Sequence, residues 1–146
     1  AIVIWETGDK GTPENGYDIV ATTHRLVDHL HTGSVTRRLP WLVELTPEMF
    51  VEISQELATA KGIANGDTVI LESARGASVK AKAVVTARLK PLQVNGTTVH
   101  YISLPWNWGF VGLSQGDSAN LLTARIGDPN TGIPEYRAFL CDIRTA

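Results

Sequence analysis

Five short segments of the sequence combine hydroxyl or amide side chains with a cation or an aromatic ring. They cover residues 22–25, 31–38, 105–109, 117–123 and 134–137. Loops of this composition can offer backbone N–H groups, hydroxyls and a guanidinium to a pyrophosphate, and aromatic or polar edges to a base. Taken singly, each segment is weak evidence for a ligand site.

Ordinary structural roles compete with ligand binding at these side chains. A pair of arginines can simply be solvated, and a pair of tryptophans can simply pack in the core. The two pairs concerned are Arg37 with Arg38 and Trp106 with Trp108. In the later polar segment, Asp117 and Asn120 can cap a helix across residues 118–122. The residues themselves leave these alternatives open.

Histidine and cysteine do not indicate a metal centre or a nucleophile. His29 and His31 have the sequence proximity of metal ligands, but no third ligand is suggested. Cys141 lies in an apolar run and is expected to be a small buried hydrophobe. The sequence contains no Gly-x-Gly-x-x-Gly, P-loop, Gly-x-Ser-x-Gly or His-Glu-x-x-His motif. We therefore predict no catalytic residue in this chain.

The composition is that of one folded globular domain. The chain has 146 residues, 43% of them hydrophobic and 19% charged, with a net charge of −2. This charge provides no broad basic field for nucleic acid or an anionic membrane, so any anion site must be local. A single cysteine excludes an intrachain disulfide, a cysteine-rich zinc site and a self-contained iron–sulfur cluster.

The domain is expected to span residues 1–146, with 1–16 as a peripheral loop or interdomain segment rich in turn formers. No apolar stretch approaches the roughly 20 residues that cross a bilayer, so direct membrane insertion is not expected. Because the first residue is Ala1, we expect the chain to be a piece of a longer protein.

Strand patterns outnumber helix patterns along the chain. Ser54 and Gly62 are expected to cap and end a short helix over residues 55–61. Turn formers at 65–67, 75–76 and 95–96 separate apolar or alternating runs. The predicted strands are 17–22, 49–53, 68–72, 78–86, 92–94, 98–104 and 136–143. This organisation predicts a mainly β, closed barrel with short peripheral helices.

Taken in order, several strings resemble the C-terminal domain of molybdopterin oxidoreductases, in particular of formate dehydrogenase large subunits. The resemblance runs from about Tyr17 to Ala146. Its most specific strings are His31-Thr32-Gly33-Ser34 with Thr36-Arg37, Leu39-Pro40-Trp41-Leu42-Val43-Glu44-Leu45, Pro47-Glu48-Met49-Phe50-Val51-Glu52-Ile53, Ser73-Ala74-Arg75-Gly76, Asp117-Ser118-Ala119-Asn120-Leu121-Leu122-Thr123 and Ile133-Pro134-Glu135-Tyr136.

The resemblance implies a double-psi β-barrel that binds molybdopterin guanine dinucleotide. The positions that match are expected to contact this cofactor: Thr22, Thr23, Arg25, His31, Thr32, Ser34, Thr36, Arg37, Trp108, Asn120, Tyr136 and Arg137. Among the two neighbouring arginines, Arg37 is expected to contribute more than Arg38, because neighbours in an extended segment face opposite ways.

Three positions depart from the family pattern. His24 stands where the resemblance leads us to expect an aromatic residue, and Asn107 stands where similar sequences often have histidine. Arg137 replaces an expected lysine, which keeps the charge but changes the donor geometry. These departures affect individual cofactor contacts and leave the expected framework unchanged.

The resemblance also implies a role within a larger oxidoreductase that oxidises formate at molybdenum or tungsten. The metal ligand and the iron–sulfur cluster would belong to missing domains, so this chain alone is expected to be inactive. Expected partners are the remaining domains of the large subunit and an iron–sulfur electron-transfer subunit. A periplasmic location is expected, with a cytoplasmic assembly as the alternative.

Two other functions compete with this one. The domain can belong to another molybdopterin oxidoreductase, such as a nitrate or polysulfide reductase. It can also be a non-enzymatic double-psi barrel used for protein recognition. A cysteine-rich cluster motif and a cysteine or selenocysteine codon upstream in the gene would separate these alternatives.

Overall fold

A computed structural model describes residues 11–108, 113–114, 116–124, 126–134 and 136–146. Eight strands occur in this part of the chain: β1 (Ile19–His24), β2 (Phe50–Ser54), β3 (Thr68–Glu72), β4 (Ser78–Thr86), β5 (Leu92–Val94), β6 (Thr97–Val99), β7 (Tyr101–Pro105) and β8 (Ala138–Thr145). Six of them close into a barrel in the order β1-β7-β2-β4-β3-β8. The predicted mainly β, closed barrel with short helices is confirmed.

Parallel pairing places the carboxyl ends of two strands side by side. β1 runs parallel to β7, with His24 opposite Pro105, and β2 runs parallel to β4. The remaining barrel pairs are antiparallel. The residues that follow β1 and β7 therefore leave the barrel at the same end, although they are far apart in the sequence.

Alternate residues of the barrel strands form the core. Side chains at every second position point inward, as strand geometry requires. The buried set includes Ile19, Ala21, Val51, Ile53, Val69, Leu71, Val79, Ala81, Ala83, Ile102, Leu104, Cys141 and Ile143. Burial, followed by the nearby Asp142 and Asp18 charges, raises the pKa of the Cys141 thiol. The prediction that Cys141 is a small buried hydrophobe is confirmed.

The predicted helix and hairpin are found with their predicted bounds. Helix α2 (Gln55–Lys61) begins where the Ser54 hydroxyl accepts a hydrogen bond from the Leu57 N–H at 3.1 Å, and ends at Gly62 in the left-handed region. Strands β3 and β4 form the antiparallel hairpin, with Glu72 opposite Ser78. In both cases short-range signals determine the structure.

Other predicted bounds need correction. β1 and β8 each begin two residues later than predicted. The predicted strand 98–104 is divided, because β6 pairs with β5 outside the barrel while β7 enters it. The predicted extended segment at the arginine pair is wrong, since Thr36–Arg38 is a 3-10 turn, directly before helix α1 (Pro40–Leu45).

A 3-10 turn, Ala119–Leu121, replaces the helix considered for residues 118–122. The Ser118 hydroxyl caps this turn by accepting from the Asn120 N–H, so neither residue considered as the cap performs that role. Within the described residues, no helix has the length and apolar character needed to cross a membrane.

Candidate functional site

An open cleft of about 1180 Å³ lies where β1 and β7 leave the barrel. The end of β1 and the residue after β7 form one wall, and the segment before β8 forms the other. The lining residues are Thr23, His24, Arg25, Trp106, Ile126, Gly127, Asp128, Pro129, Thr131, Ile133, Pro134, Tyr136 and Arg137. The first and last of the polar segments found in the sequence therefore meet in one cavity.

An exposed arginine lies over a tryptophan in the first wall. The Arg25 guanidinium carbon is 5.4 Å from the centre of the Trp106 ring. The Trp106 backbone is fixed, because its N–H donates to the His24 carbonyl at 3.1 Å and its carbonyl accepts from the Ala119 N–H at 3.1 Å. The guanidinium thus lies over an anchored ring, and because it has no hydrogen bond to any other described residue, its N–H groups are available to an anion.

A turn centred on Asp128 supports the opposite wall. One carboxylate oxygen of Asp128 accepts from the Thr131 N–H at 2.8 Å, the Asn130 N–H at 3.0 Å and the Thr131 hydroxyl at 2.9 Å. These bonds, those from Thr131 foremost, hold the pKa of Asp128 below its usual range. Tyr136 and Arg137 follow this turn and are exposed. Arg137 therefore brings a second guanidinium to the cleft from another part of the chain.

His24 lies between the barrel and the cleft. Its Nδ1 atom is 2.6 Å from the Ser103 hydroxyl, and its ring centre is 5.7 Å from that of Phe50. Burial lowers the pKa of His24, while the nearby Glu52 charge opposes this effect. The ring is consequently neutral at neutral pH and is held by a hydrogen bond on one side.

A narrow crevice adjoins the cleft and contains the second polar segment. Its volume is about 10 Å³, which is enough for roughly one water molecule and too small for a phosphate. His24, Arg25 and Trp106 border both cavities. The other residues of the crevice are Leu26, His29, His31, Thr32, Arg37, Pro105 and Asn107.

The structure places the predicted site residues in three groups. Thr23, Arg25, Tyr136 and Arg137 line the cleft, and His31, Thr32 and Arg37 line the crevice. The other five lie outside both cavities. Thr22 pairs with Ser103 and Ala138 in the barrel, Ser34 is half-buried, and Trp108 is fully buried. Thr36 bonds to His29, and the Asn120 carbonyl accepts from the Thr123 hydroxyl.

Nine of the thirteen residues that line the cleft were not among the predicted cofactor contacts. Trp106 and His24 lie in polar segments found in the sequence, but neither was predicted as a contact, and His24 was noted as a departure from the family pattern. Asp128 gave no signal of its own. Among the described residues, no group of three histidine, cysteine, aspartate or glutamate side chains could hold a metal ion.

A β-barrel whose open cleft is lined by two arginines and two aromatic rings is an arrangement that can hold a large anionic ligand. The sequence model of the family described as "Molydopterin dinucleotide binding domain" matches residues 19–140. The chain belongs to this family. The resemblance to formate dehydrogenase large subunits is confirmed as well, because two relatives that match most of the chain carry that name.

Formate dehydrogenase subunit alpha of Megalodesulfovibrio gigas is 47% identical over 96% of this chain and 14% of its own length. The nitrate-inducible formate dehydrogenase major subunit of Escherichia coli strain K12 is 49% identical over 89% of this chain and 13% of its own length. The chain therefore spans about one seventh of these relatives. Acetylene hydratase from Pelobacter acetylenicus shares the fold, with a TM-score of 0.62 at 16% identity over 89% of this chain and 18% of its own.

Proposed function

We propose that the chain binds and orients molybdopterin guanine dinucleotide as the C-terminal domain of a formate dehydrogenase large subunit. The observation that carries this proposal is the cleft with Arg25 and Arg137 on its two walls. Two relatives that match most of the chain are formate dehydrogenase alpha or major subunits. Formate oxidation to carbon dioxide is proposed for the complete enzyme, with this chain inactive alone.

The residues of the cleft fit the chemistry of the dinucleotide. Two guanidinium groups can each bind a phosphate in a bidentate manner, and Trp106 and Tyr136 offer ring faces to a planar base. The Thr23 hydroxyl can donate to or accept from a sugar or phosphate oxygen. When bound in the complete enzyme, the cofactor would carry molybdenum or tungsten, which accepts the electrons from the substrate.

Cofactor contact is also proposed for His31 and Thr32. They border a crevice that shares His24, Arg25 and Trp106 with the cleft, which supports a position close to a ligand bound there. The double-psi topology is likewise proposed. It is supported by the parallel pairs β1–β7 and β2–β4, which join strands that are not consecutive in the sequence.

Substitution of the two cleft arginines tests the proposal in the complete large subunit. Arg25→Ala and Arg137→Ala should each weaken dinucleotide binding about 10- to 100-fold, since one charge-assisted hydrogen bond contributes roughly 1.5–3 kcal/mol. The measurement is guanine dinucleotide released per purified protein. Arg144→Ala is the matched control, because Arg144 is exposed on β8 and bonds to Glu72 outside the cleft. Wild-type dinucleotide content in the Arg25→Ala, Arg137→Ala double variant would refute the proposal.

A second candidate function is that of another molybdopterin oxidoreductase. Periplasmic nitrate reductase of Desulfovibrio desulfuricans is 41% identical over 51% of this chain and 10% of its own length. The formate dehydrogenase relatives match far more of the chain, which is why formate is the proposed substrate. Assay of the complete enzyme with formate and with nitrate separates the two, and nitrate reduction without formate oxidation would favour the second.

Segment 27–45 contains several exposed apolar residues, and we propose that they contact the remaining domains of the large subunit. Val27 is fully exposed, and Leu30, Val35, Trp41 and Leu45 are each at least 60% exposed. Five large exposed apolar side chains within one segment support the proposal of an interaction surface there. An iron–sulfur electron-transfer subunit is a further proposed partner, in keeping with the relatives' names as alpha subunits.

A periplasmic location of the parent protein is proposed, with a cytoplasmic one as the alternative. A relative is itself named a periplasmic nitrate reductase. An export leader at the start of the parent gene would support the periplasmic location, and recovery of the complete subunit only in the cytoplasmic fraction would contradict it.

A further inference from the structure

We propose that Arg37 is a positioning residue, whose buried guanidinium joins two loops beside the cleft without itself contacting the dinucleotide. This inference rests on the proposed function, because it concerns the same cleft. It differs from the sequence-based prediction, in which Arg37 binds the cofactor directly.

Both terminal nitrogens of the Arg37 side chain are already bonded to backbone. Nη1 donates to the Asn107 carbonyl at 2.8 Å, and Nη2 donates to the Thr32 carbonyl at 2.7 Å. The residue is only 1% exposed. The two carbonyls belong to segments that are far apart in the sequence, so the guanidinium is a bridge between the loop after β1 and the loop after β7.

The partners of this charge are neutral groups. The guanidinium carbon is 5.3 Å from the centre of the Trp108 ring, and among the described residues no carboxylate forms an ion pair with Arg37. Burial lowers the pKa of Arg37, yet the group remains a cation. A buried cation is retained at a cost, and here the planar fork reaches two carbonyls at once, which an apolar side chain cannot do.

The surrounding backbone is shaped to admit the guanidinium. Gly33 has a φ of +78°, and a Cβ placed there would lie 2.3 Å from Nη1 of Arg37. The Arg37 N–H donates to the Gly33 carbonyl at 2.9 Å, and the Arg37 carbonyl accepts from the Leu113 N–H at 2.9 Å. Main chain and side chain of this one residue therefore contact three separate segments.

The bridge acts on the cleft through Trp106. Asn107, whose carbonyl accepts from Arg37, directly follows Trp106, and the Trp106 ring supports the exposed Arg25. Loss of the bridge would remove one of the bonds that hold residues 106–108, leaving the Trp106 backbone bonds to His24 and Ala119, and would thereby loosen the ring over which Arg25 lies. The expected effect on the cofactor is indirect, through the position of Arg25.

The test uses the complete large subunit, prepared with the dinucleotide and also from a host that cannot synthesise it. Two variants break the bridge. Arg37→Lys keeps the charge but has no planar fork, and Gly33→Ala keeps Arg37 but blocks its place. Arg38→Ala is the matched control, because Arg38 is the exposed neighbour with the same charge. Arg25→Ala and Arg137→Ala report on the cleft itself.

Amide hydrogen exchange is measured in peptides containing residues 31–38 and 104–108, together with dinucleotide content. In the cofactor-free subunit, Arg37→Lys and Gly33→Ala should raise exchange in both peptides by at least about tenfold, because the bridge is absent. Both variants should also lose most of the bound dinucleotide in the loaded preparation. Arg38→Ala should match wild type in both measurements.

Each contrary result has a distinct meaning. Unchanged cofactor-free exchange in Arg37→Lys with loss of dinucleotide would overturn the positioning role in favour of direct contact. Raised exchange with full dinucleotide content would also overturn the positioning role, because the bridge would then be lost without any effect on dinucleotide binding. Full content in both cleft variants would refute the proposed function, whereas loss in the cleft variants alone would refute only the role of Arg37. Because Arg37→Lys is the milder change, it keeps the test valid if Gly33→Ala does not fold.

Discussion

Two arginine–tryptophan pairs lie on either side of Asn107, and they differ in what surrounds them. Arg25 lies 5.4 Å from the Trp106 ring at the mouth of the cleft, and Arg37 lies 5.3 Å from the Trp108 ring inside the domain. Arg25 is exposed, whereas Arg37 is 1% exposed and bonded to two carbonyls. Contact with a tryptophan ring is therefore common to both arginines, and they differ in burial and in the two backbone carbonyls that Arg37 contacts.

Substitution of the two tryptophans should give the largest difference in stability between the two arginine–tryptophan pairs. Trp108 is fully buried, so Trp108→Ala should lower the free energy of unfolding of the purified chain by about 3–5 kcal/mol. Trp106 is half-buried at the cleft, and Trp106→Ala should cost only about 1–2 kcal/mol, because part of the residue is already exposed to water in the folded chain. Urea denaturation of both variants measures this, and equal losses would show that the pairs do not differ in structural role.

Substitution of the arginines should also destabilise the domain more in the buried pair than in the exposed pair, with smaller losses of stability than for the tryptophans. Arg37→Ala leaves two carbonyls without their donor and should cost about 2–4 kcal/mol of stability. Arg25→Ala removes an exposed stacking contact worth about 0.5–1 kcal/mol. Arg38→Ala, an exposed control, should remain within about 0.5 kcal/mol of wild type. The comparison fails if urea denaturation finds Arg25→Ala as destabilising as Arg37→Ala.

Short-range signals in the sequence were sufficient for the regular side of the barrel. Ser54 and Gly62 define α2 because a cap and a left-handed terminus act within one turn of the helix. The alternation from Val79 to Ala83 specifies which face of β4 is buried, since one strand's geometry decides it. The family resemblance then supplied the ligand class, which neither signal contains.

The sequence alone did not show that Arg37 is buried while Arg25 is exposed. Arg37 is enclosed because the loop after β7 brings Asn107 and Trp108 against it, a contact between residues about 70 positions apart. The same limit applies to the cleft, whose walls meet only because β1 pairs in parallel with a strand near the other end of the chain. Local patterns cannot report such pairings.

Substitution of His29, which lies beside the buried Arg37–Trp108 pair, should have the smallest effect, and that effect should be on the pH dependence of stability. His29 makes an edge-on contact with Trp108 at 5.9 Å and bonds to the Thr36 hydroxyl at 2.9 Å. Burial and then the Arg37 charge lower the pKa of His29, while Asp28 opposes them. The unfolded chain thus binds a proton more readily than the folded one as the pH falls from about 6.5, so stability is complete above that pH and decreases below it.

His29→Gln should therefore make the stability of the purified chain less sensitive to pH between about 7.5 and 5.5. Burial also lowers the pKa of His24, so a His24→Gln, His29→Gln double variant should flatten the profile further. Unfolding midpoints in urea across this range provide the measurement. A His29→Gln profile as steep as that of wild type would mean that His29 is not kept neutral by the buried pair.

The position of β1 in the barrel has a consequence for how the domain forms. Both neighbours of β1, β7 and β8, lie in the last third of the chain, with Ile19 opposite Cys141 and Val20 opposite Tyr101. Pairings between such distant residues give a high contact order and slow folding, because a large loop must close before any contact is gained. Strand β1 therefore remains without a barrel neighbour until β7 and then β8 have been synthesised. The end of the barrel where the cleft lies depends on this pairing, so it is expected to be among the last parts of the domain to form.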